Sequence, residues 1–477
     1  MNPVTSADGT VIGYTRHGDG PPVILAGGGL DDGTENAPLA EALAAHRAQL
    51  IRSPVGCAAG GPRCSGVLPL RLIRLRHVDR GLPVGAIDEG NDGMTLDVEV
   101  RDRVDATVAQ AIEEGQVPGV VAAVARGEAV HVATAGASAV GGPPMARDTL
   151  FRITSMSKPI TAAAVLSLAD DGVLDLDEPV DRLLPELADR RVLRRPDGPL
   201  DDTMPALRSP LVRELLTFTW GFGLLGAMLT AEQPWPIVAA ATERQVMTFG
   251  PPQSAAAPDP DTWLARLGEL PLVAPPGERW LYHTGSQVLG VLAARAASMP
   301  FPDVLRERVL DPLGMRDTAY TAETGRLATA YALRDGRLVE TDPPGGQWSR
   351  PPAFPDGGDG LVSSVDDLVA FGRMLARGGA PVLRPETAAA MTGDQLTREQ
   401  RARVWPGFDM LLGRGWGFGV SVLDDGGYSW HGGQGTAWWN VPAQDLTVVV
   451  LTQREFDENG PPAVCDKVLA AARPVRQ

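Results

Sequence analysis

The chain keeps only two lysines, Lys158 and Lys467, among 43 basic residues in a length of 477. Arginine stays protonated under ordinary conditions and cannot act as a base, whereas burial readily gives a lysine its neutral form. One of the two lysines stands three residues after a serine, in Phe151-Arg152-Ile153-Thr154-Ser155-Met156-Ser157-Lys158-Pro159. A serine hydroxyl is a weak nucleophile until a neighbouring base removes its proton. Positions i and i+3 of a helix share a face, so a helix over 155–171 sets Ser155 and Lys158 one turn apart. At a helix start the Ser155 backbone N–H is also unpaired and open to a developing oxyanion. The plain alternative is an N-capping serine beside a surface lysine.

A second constellation is Gly277-Glu278-Arg279-Trp280-Leu281-Tyr282-His283-Thr284-Gly285. A tyrosine hydroxyl can relay a proton between nucleophile and leaving group. Taken alone, Tyr282 reads more simply as a packed core tyrosine. His283 alternates with Tyr282 and Thr284, so in an extended segment it points away from them. A third is Ser429-Trp430-His431-Gly432-Gly433-Gln434-Gly435. A strand ending in glycines lets the backbone approach a ligand closely, and the Gln434 N–H could then serve as a second oxyanion donor. Its plain reading is the glycine run of a hairpin end.

The three motifs, in this order and separation, resemble the serine β-lactamase and penicillin-binding-protein superfamily, in its class C β-lactamase and family VIII carboxylesterase branch. The resemblance covers about 96–475. Leu215–Gly221, Pro312–Thr318 and Gly360–Leu368 carry secondary signatures of the same family. It implies that Ser155 carries the acyl group and that Lys158 and Tyr282 act as the general-base pair. It also implies an oxyanion hole from the N–H groups of Ser155 and Gln434. His431-Gly432-Gly433 takes the place of the family's Lys-Thr-Gly strand motif. Two departures bear on substrate. Thr284 stands where the family has Asn, with a shorter reach and no NH₂ group. His431 replaces a permanent cation with a group mostly neutral at pH 7. Both favour neutral, small to medium esters over β-lactams. The expected activity is therefore a serine hydrolase of carboxylesterase type. The alternatives are a β-lactamase, a D-amino-acid amidase or peptidase of the same fold, an acyltransferase, and a non-catalytic penicillin-binding-like sensor.

These residues need elements to hold them. Apolar spacing predicts a helix over 98–114, a strand pair at 119–125 and 129–133, and a helix over 155–171 ended by Gly172. A Pro-broken, mostly helical insertion follows at about 174–275, then an apolar helix over 285–298. Strands at 428–431 and 446–452 and a helix at about 461–472 close the unit. Early and late strands with helices between them predict an α/β (α+β) fold. It is β-lactamase/transpeptidase-like, an antiparallel sheet flanked by helices, spanning 94–477. The Pro-rich stretches Gly250–Pro260 and Pro343–Gly358 read as loops on a pocket rim, with Trp348 as the candidate lid. Some of the tryptophans at 220, 235, 280, 348, 416, 430, 438 and 439 are expected to line an acyl pocket.

Residues 1–93 read differently. Strands at 10–14 and 22–29 and a helix at about 36–45 resemble the opening of an α/β-hydrolase. From 46 to 80 the pattern dissolves into a segment with seven arginines and one aspartate. No Gly-x-Ser-x-Gly elbow occurs, so 1–93 is expected to be a truncated remnant or a poorly ordered segment. Net charge of −16 argues against nucleic acid or an anionic membrane as partner. Three cysteines form no disulfide framework. There is no His-Glu-x-x-His and no paired Cys set, so no metal or cofactor is implied. No apolar run reaches the ~18 residues of a membrane helix, and no basic stretch leads an apolar one at the N-terminus. The expected compartment is the cytoplasm and the expected partner a small-molecule ester or amide.

Overall fold

The structure is a computed structural model. It describes residues 96–473 apart from 248–251, 254–255, 403–410, 412 and 459, and before them the backbone of four strands. The chain forms two compact units, Met1–Ile87 and Asp88–Gln477.

In the first unit, strands β1 (Asn2–Thr5), β2 (Val11–His17), β3 (Pro22–Ala26) and β4 (Gln49–Ser53) form one sheet in the order β1-β2-β4-β3. β3 and β4 run parallel and the other pairs antiparallel. β4 continues the strand pattern past His46, where the sequence reading had ended it. The expected helix at 36–45 lies outside the described residues.

The second unit opens with helix α1 (Val98–Glu113) and the hairpin of β5 (Gly119–Arg126) and β6 (Ala129–Gly136). Val100, Val104, Val108 and Ala111 form the buried stripe of α1, spaced at three and four residues as a helix face demands. Three of its longer helices follow, α2 (Ser157–Asp170), α3 (Thr284–Ala297) and α4 (Val365–Ala376). Late in the chain come β7 (Gly415–Trp416), β8 (Ser421–Val422), β9 (Tyr428–Gly432), β10 (Thr436–Val441), β11 (Leu446–Thr452) and helix α5 (Val464–Ala472).

These strands make one antiparallel sheet in the order β7-β8-β9-β10-β11-β5-β6, so the last long strand pairs with the first. One face packs on α1 and α5 through Val120, Ala122, Val124, Val448 and Val450. The other face, with Val121, Ala123, Val449 and Leu451, meets the large core built around α2, α3 and α4. β5 and β11 are covered on both faces, which explains why they read as nearly continuous apolar runs.

The region between α2 and α3 is only partly as expected. Its helices are short, at Val212–Leu216, Gly226–Thr230, Pro236–Glu243 and Pro260–Gly268. Pro236 and Pro260 each open a helix, where a missing N–H costs nothing. A small antiparallel pair, Arg191–Leu193 with Thr203–Pro205, was not expected. Among the described residues no single helix is long and apolar enough to cross a membrane.

Candidate active site

Ser155 lies in a single 3₁₀ turn, Thr154–Met156, that runs directly into α2. The turn begins under backbone strain: Thr154, a β-branched residue, is held at φ +42°. Neighbours on several sides fix it there. Ile153 N–H donates to Leu361 O, and the Ser157 hydroxyl accepts from Leu361 N–H. Thr436 of β10 donates to Ile153 O. Gly432, at the end of β9, lies so close that a Cβ there would stand 2.2 Å from Ile153 O. Gly432 therefore serves a close backbone approach, made onto the serine turn itself.

Three of the residues singled out in the sequence converge. Lys158 Nζ donates to Ser155 Oγ at 2.9 Å and to Gly358 O at 2.7 Å. The Tyr282 hydroxyl reaches the same Ser155 Oγ at 3.0 Å. Lys158 is fully buried, and its Nζ lies 5.0 Å from the centre of the Tyr282 ring. A serine oxygen is thus held between an amine and a phenol, in reach of two groups able to exchange its proton.

Aromatic side chains wall this junction. Tyr282 stacks on Trp280 with centroids 5.6 Å apart and meets Trp430 at 5.5 Å and Phe218 at 5.9 Å. Trp416 closes the group at 4.7 Å from Trp430 and 5.0 Å from Phe218. The sequence signalled many tryptophans without separating these three from Trp220, Trp438 and Trp439, which belong to the core and the sheet.

The remaining candidates sit around the junction. Gln434 is buried in the turn between β9 and β10, and its side chain lines a small internal cavity with Arg152 and Gln453. Gly433 faces open space where a Cβ would lie, and its carbonyl accepts from Phe456 N–H. Thr284 is fully buried at the start of α3 and its hydroxyl has no hydrogen-bond partner. His431 shares a sheet face with its partner Ala437 and packs edge-on to Trp439 at 4.9 Å. Burial, then the Arg414 charge, pushes the His431 imidazole down to about 4, so it is neutral at pH 7.

Two expectations change. Trp348 is no lid: it is 1% exposed, donates to Gly360 O, and supports the Arg152 guanidinium on its ring face. The Pro/Gly-rich loop is exposed at Pro343, Gly345 and Pro351, but Trp348 itself turns inward from it. His283 is not in an extended segment. At φ +85° it forms the turn that starts α3, which aims its ring toward Asp356 and Asp359. Burial, then the Lys158 charge, holds this imidazole below its ordinary range. Burial and the Asp359 charge raise the Asp356 carboxyl.

Sequence reading placed Pro343–Gly358 on a pocket rim but missed what Asp356-Gly357-Gly358-Asp359-Gly360 does for the lysine. Gly358 O holds Lys158, and Gly357 O accepts from Thr161 of α2. A Cβ on Gly357 would stand 2.4 Å from Ser286 O. The cluster of glycines between two aspartates was the available signal.

The family model described as Beta-lactamase matches residues 104–470. The chain belongs to the β-lactamase family. Together, fold, family and site make it a serine hydrolase. It is 39% identical to Protein Rv1367c of Mycobacterium tuberculosis over 336 residues, 65% of this chain and 79% of that protein. It is 33% identical to Esterase EstB of Burkholderia gladioli over 389 residues, 74% of this chain and 91% of the esterase. Among solved structures it resembles EstCE1, described as a hydrolase with promiscuous acyltransferase activity. The TM-score is 0.64 at 26% identity, covering 78% of this chain and 98% of that one. These relatives agree with the family VIII esterase-like branch.

Proposed function

We propose that the chain is a carboxylesterase acting on small to medium esters through an acyl-enzyme on Ser155. The observation that carries this reading is the Ser155 oxygen shared by Lys158 Nζ and Tyr282 OH. In the first half-reaction the Lys158–Tyr282 pair takes the hydroxyl proton as Ser155 Oγ bonds to the ester carbonyl carbon. The C–O bond to the alcohol breaks, and the alcohol leaves with the proton returned through Tyr282. In the second, a water gives a proton to the same pair and its oxygen to the acyl carbon; the acyl–Oγ bond then breaks, the acid leaves, and the pair returns the proton to Ser155 Oγ. The N–H groups of Ser155 and Gln434 are the oxyanion donors in this reading.

Ester preference is supported by the neutral side chain at position 431, where the family has a cation. A neutral His431 offers no fixed cation to a carboxylate-bearing antibiotic. The aromatic wall of Trp280, Trp416 and Trp430 suits an apolar acyl group. The similarity to Esterase EstB adds to this. Fluorophosphonate labelling of wild type and Ser155→Ala, with peptide mapping, tests the nucleophile. One adduct on Ser155, lost in the variant, is expected; no adduct in folded protein would leave a non-catalytic sensor. A p-nitrophenyl ester should be cleaved far faster than a chromogenic cephalosporin, and the reverse order would make the protein a β-lactamase.

Acyl transfer to an alcohol is the second reading, favoured by the likeness to EstCE1 and, at 26% identity, to a monacolin J acid methylbutanoyltransferase of Aspergillus terreus. An added alcohol that raises turnover and appears in the product would establish it.

A further inference from the structure

Behind Lys158, on the far side of the Gly358 peptide, lies a group of side chains the hydrolytic reaction does not use. His283, Asp356 and Asp359 bring one imidazole nitrogen and two carboxylate oxygens within 4.8 Å of one another. Gln287 lines the same cavity, is 7% exposed, and its Oε1 is buried without a partner. We propose that His283, Asp356, Asp359 and Gln287 form a binding site for a divalent transition-metal ion of the zinc, cobalt or manganese class.

The spacing is what points there. His283 Nε2 stands 3.9 Å from Asp359 Oδ2. That is too long for a hydrogen bond. Two donors bonded tetrahedrally to one ion at about 2.0–2.2 Å stand roughly 3.3–3.6 Å apart, so an ion would draw this pair together by only about 0.3–0.6 Å. The donor set selects the ion class. An imidazole with carboxylates suits zinc, cobalt and manganese, while calcium and magnesium prefer oxygen alone.

The supporting contacts are those a metal centre needs. Asp356 is oriented from both sides: Gly358 N–H donates to Oδ1 at 2.6 Å and Gln287 Nε2 to Oδ2 at 2.7 Å. Such outer hydrogen bonds fix a ligand's direction. Among the described residues, neither Asp356 nor Asp359 is salt-bridged to an arginine or lysine, and His283 is the one basic side chain within 4.0 Å. A cavity of about 170 Å³ opens onto the group, with Trp263 and Phe354 stacked at its apolar end. It gives an ion a route in. A bound ion would tie α3 to the Asp356–Gly360 loop, and through Gly358 O to the Lys158 amine. Its role would be to hold that loop, with no part in bond breaking.

The site stands whether or not Ser155 carries an acyl group, which fluorophosphonate labelling tests separately. The full chain is freed of metal with a chelator, the chelator removed, and Co²⁺ titrated by calorimetry and visible absorption. One equivalent should bind with the absorption of an imidazole-ligated cobalt, and zinc should displace it. Binding should also raise the melting temperature. Asp359→Asn and His283→Gln should each weaken binding at least roughly ten-fold, as losses even in outer metal shells do. Melting curves without metal show which variants are folded, and a folded one of the pair suffices. No binding by folded wild type, or binding that persists unchanged in a folded variant, would overturn the site. Should both variants unfold, the wild type decides alone: cobalt absorption without an imidazole signature, or more than one weak equivalent, would overturn it.

Discussion

Lys158 and Tyr282 meet at one atom: each is hydrogen-bonded to Ser155 Oγ, and the lysine nitrogen lies over the tyrosine ring at 5.0 Å. Neither has the oxygen to itself, so the two should act as a unit. Lys158→Ala and Tyr282→Phe are each expected to lower kcat on a p-nitrophenyl ester by about 10²–10⁴. The double variant should fall well short of the product of the two losses. Lys158→Arg should not restore activity, because a guanidinium cannot give up its proton.

Gly432 and Gly433 separate close packing from open space. A methyl group at Gly432 would meet Ile153 O at 2.2 Å, Thr436 Oγ1 at 2.3 Å and Thr154 Oγ1 at 2.6 Å, whereas at Gly433 it would meet nothing within 4 Å. Gly432→Ala should displace the serine turn and cut kcat by roughly 10²-fold. Gly433→Ala should keep the wild-type melting temperature. Melting curves and initial rates on both variants check this.

Trp416 is fully buried between Phe218, Trp280 and Trp430. Trp416→Ala should cost about 3–5 kcal/mol of stability, read by denaturant unfolding. It should also lower kcat, since the aromatic group it removes supports Tyr282.

Arg152 is a buried cation beside the nucleophile turn. It pairs with Asp342, donates to Ala328 O, and lies over Trp348. Removing one partner of such a pair leaves the other charge uncompensated. Asp342→Ala is expected to destabilise the protein by about 3–5 kcal/mol in chemical unfolding.

Asp367 joins two segments that the sequence showed only separately, accepting from Asp317 N–H and from the Thr318 hydroxyl at 2.8 Å each. Burial pushes its carboxyl up to about 6, against those hydrogen bonds. An unfolded aspartate titrates near 3.9. The folded state therefore holds the proton more tightly. This contribution is complete below about pH 4 and is lost as pH rises through about 6, up to roughly 3 kcal/mol. Asp367→Asn keeps an acceptor oxygen and should match wild type at pH 4 but exceed it in stability at pH 8. Urea unfolding at the two pH values measures the difference.

Much of the architecture was legible because it is periodic. Val104 and Val108 in α1, the apolar runs of β5 and β11, and Gly172 after α2 each carry a local signal that packing did not override. Strand β10 carried none, since Trp438, Trp439 and Asn440 follow a glycine run that read as a hairpin end. In the insertion, the prolines marked only a broken, helical stretch, and neither the helix bounds nor the 191–205 strand pair was legible, because that pairing depends on neighbours outside the local segment. Trp348 and His283 were misjudged for one reason. Loop composition and strand alternation miss what decides both: Trp348 turns inward to bond Gly360, 12 residues on, and His283 is turned by its φ of +85° at the start of α3.

The sequence by itself determined the chemistry available: one lysine retained beside Ser155, a tyrosine motif, a glycine-ended strand, and a histidine where a fixed cation was to be expected. These are properties of residue type and short spacing, which no fold can alter. The tertiary structure alone decided which atoms meet. Lys158 is bonded through 200 residues of separation to Gly358, and Tyr282 through 127 to Ser155. Contacts of that span arise only when the sheet closes its last strand on its first and the helices settle on one face, because their energy is collective and absent from any local segment.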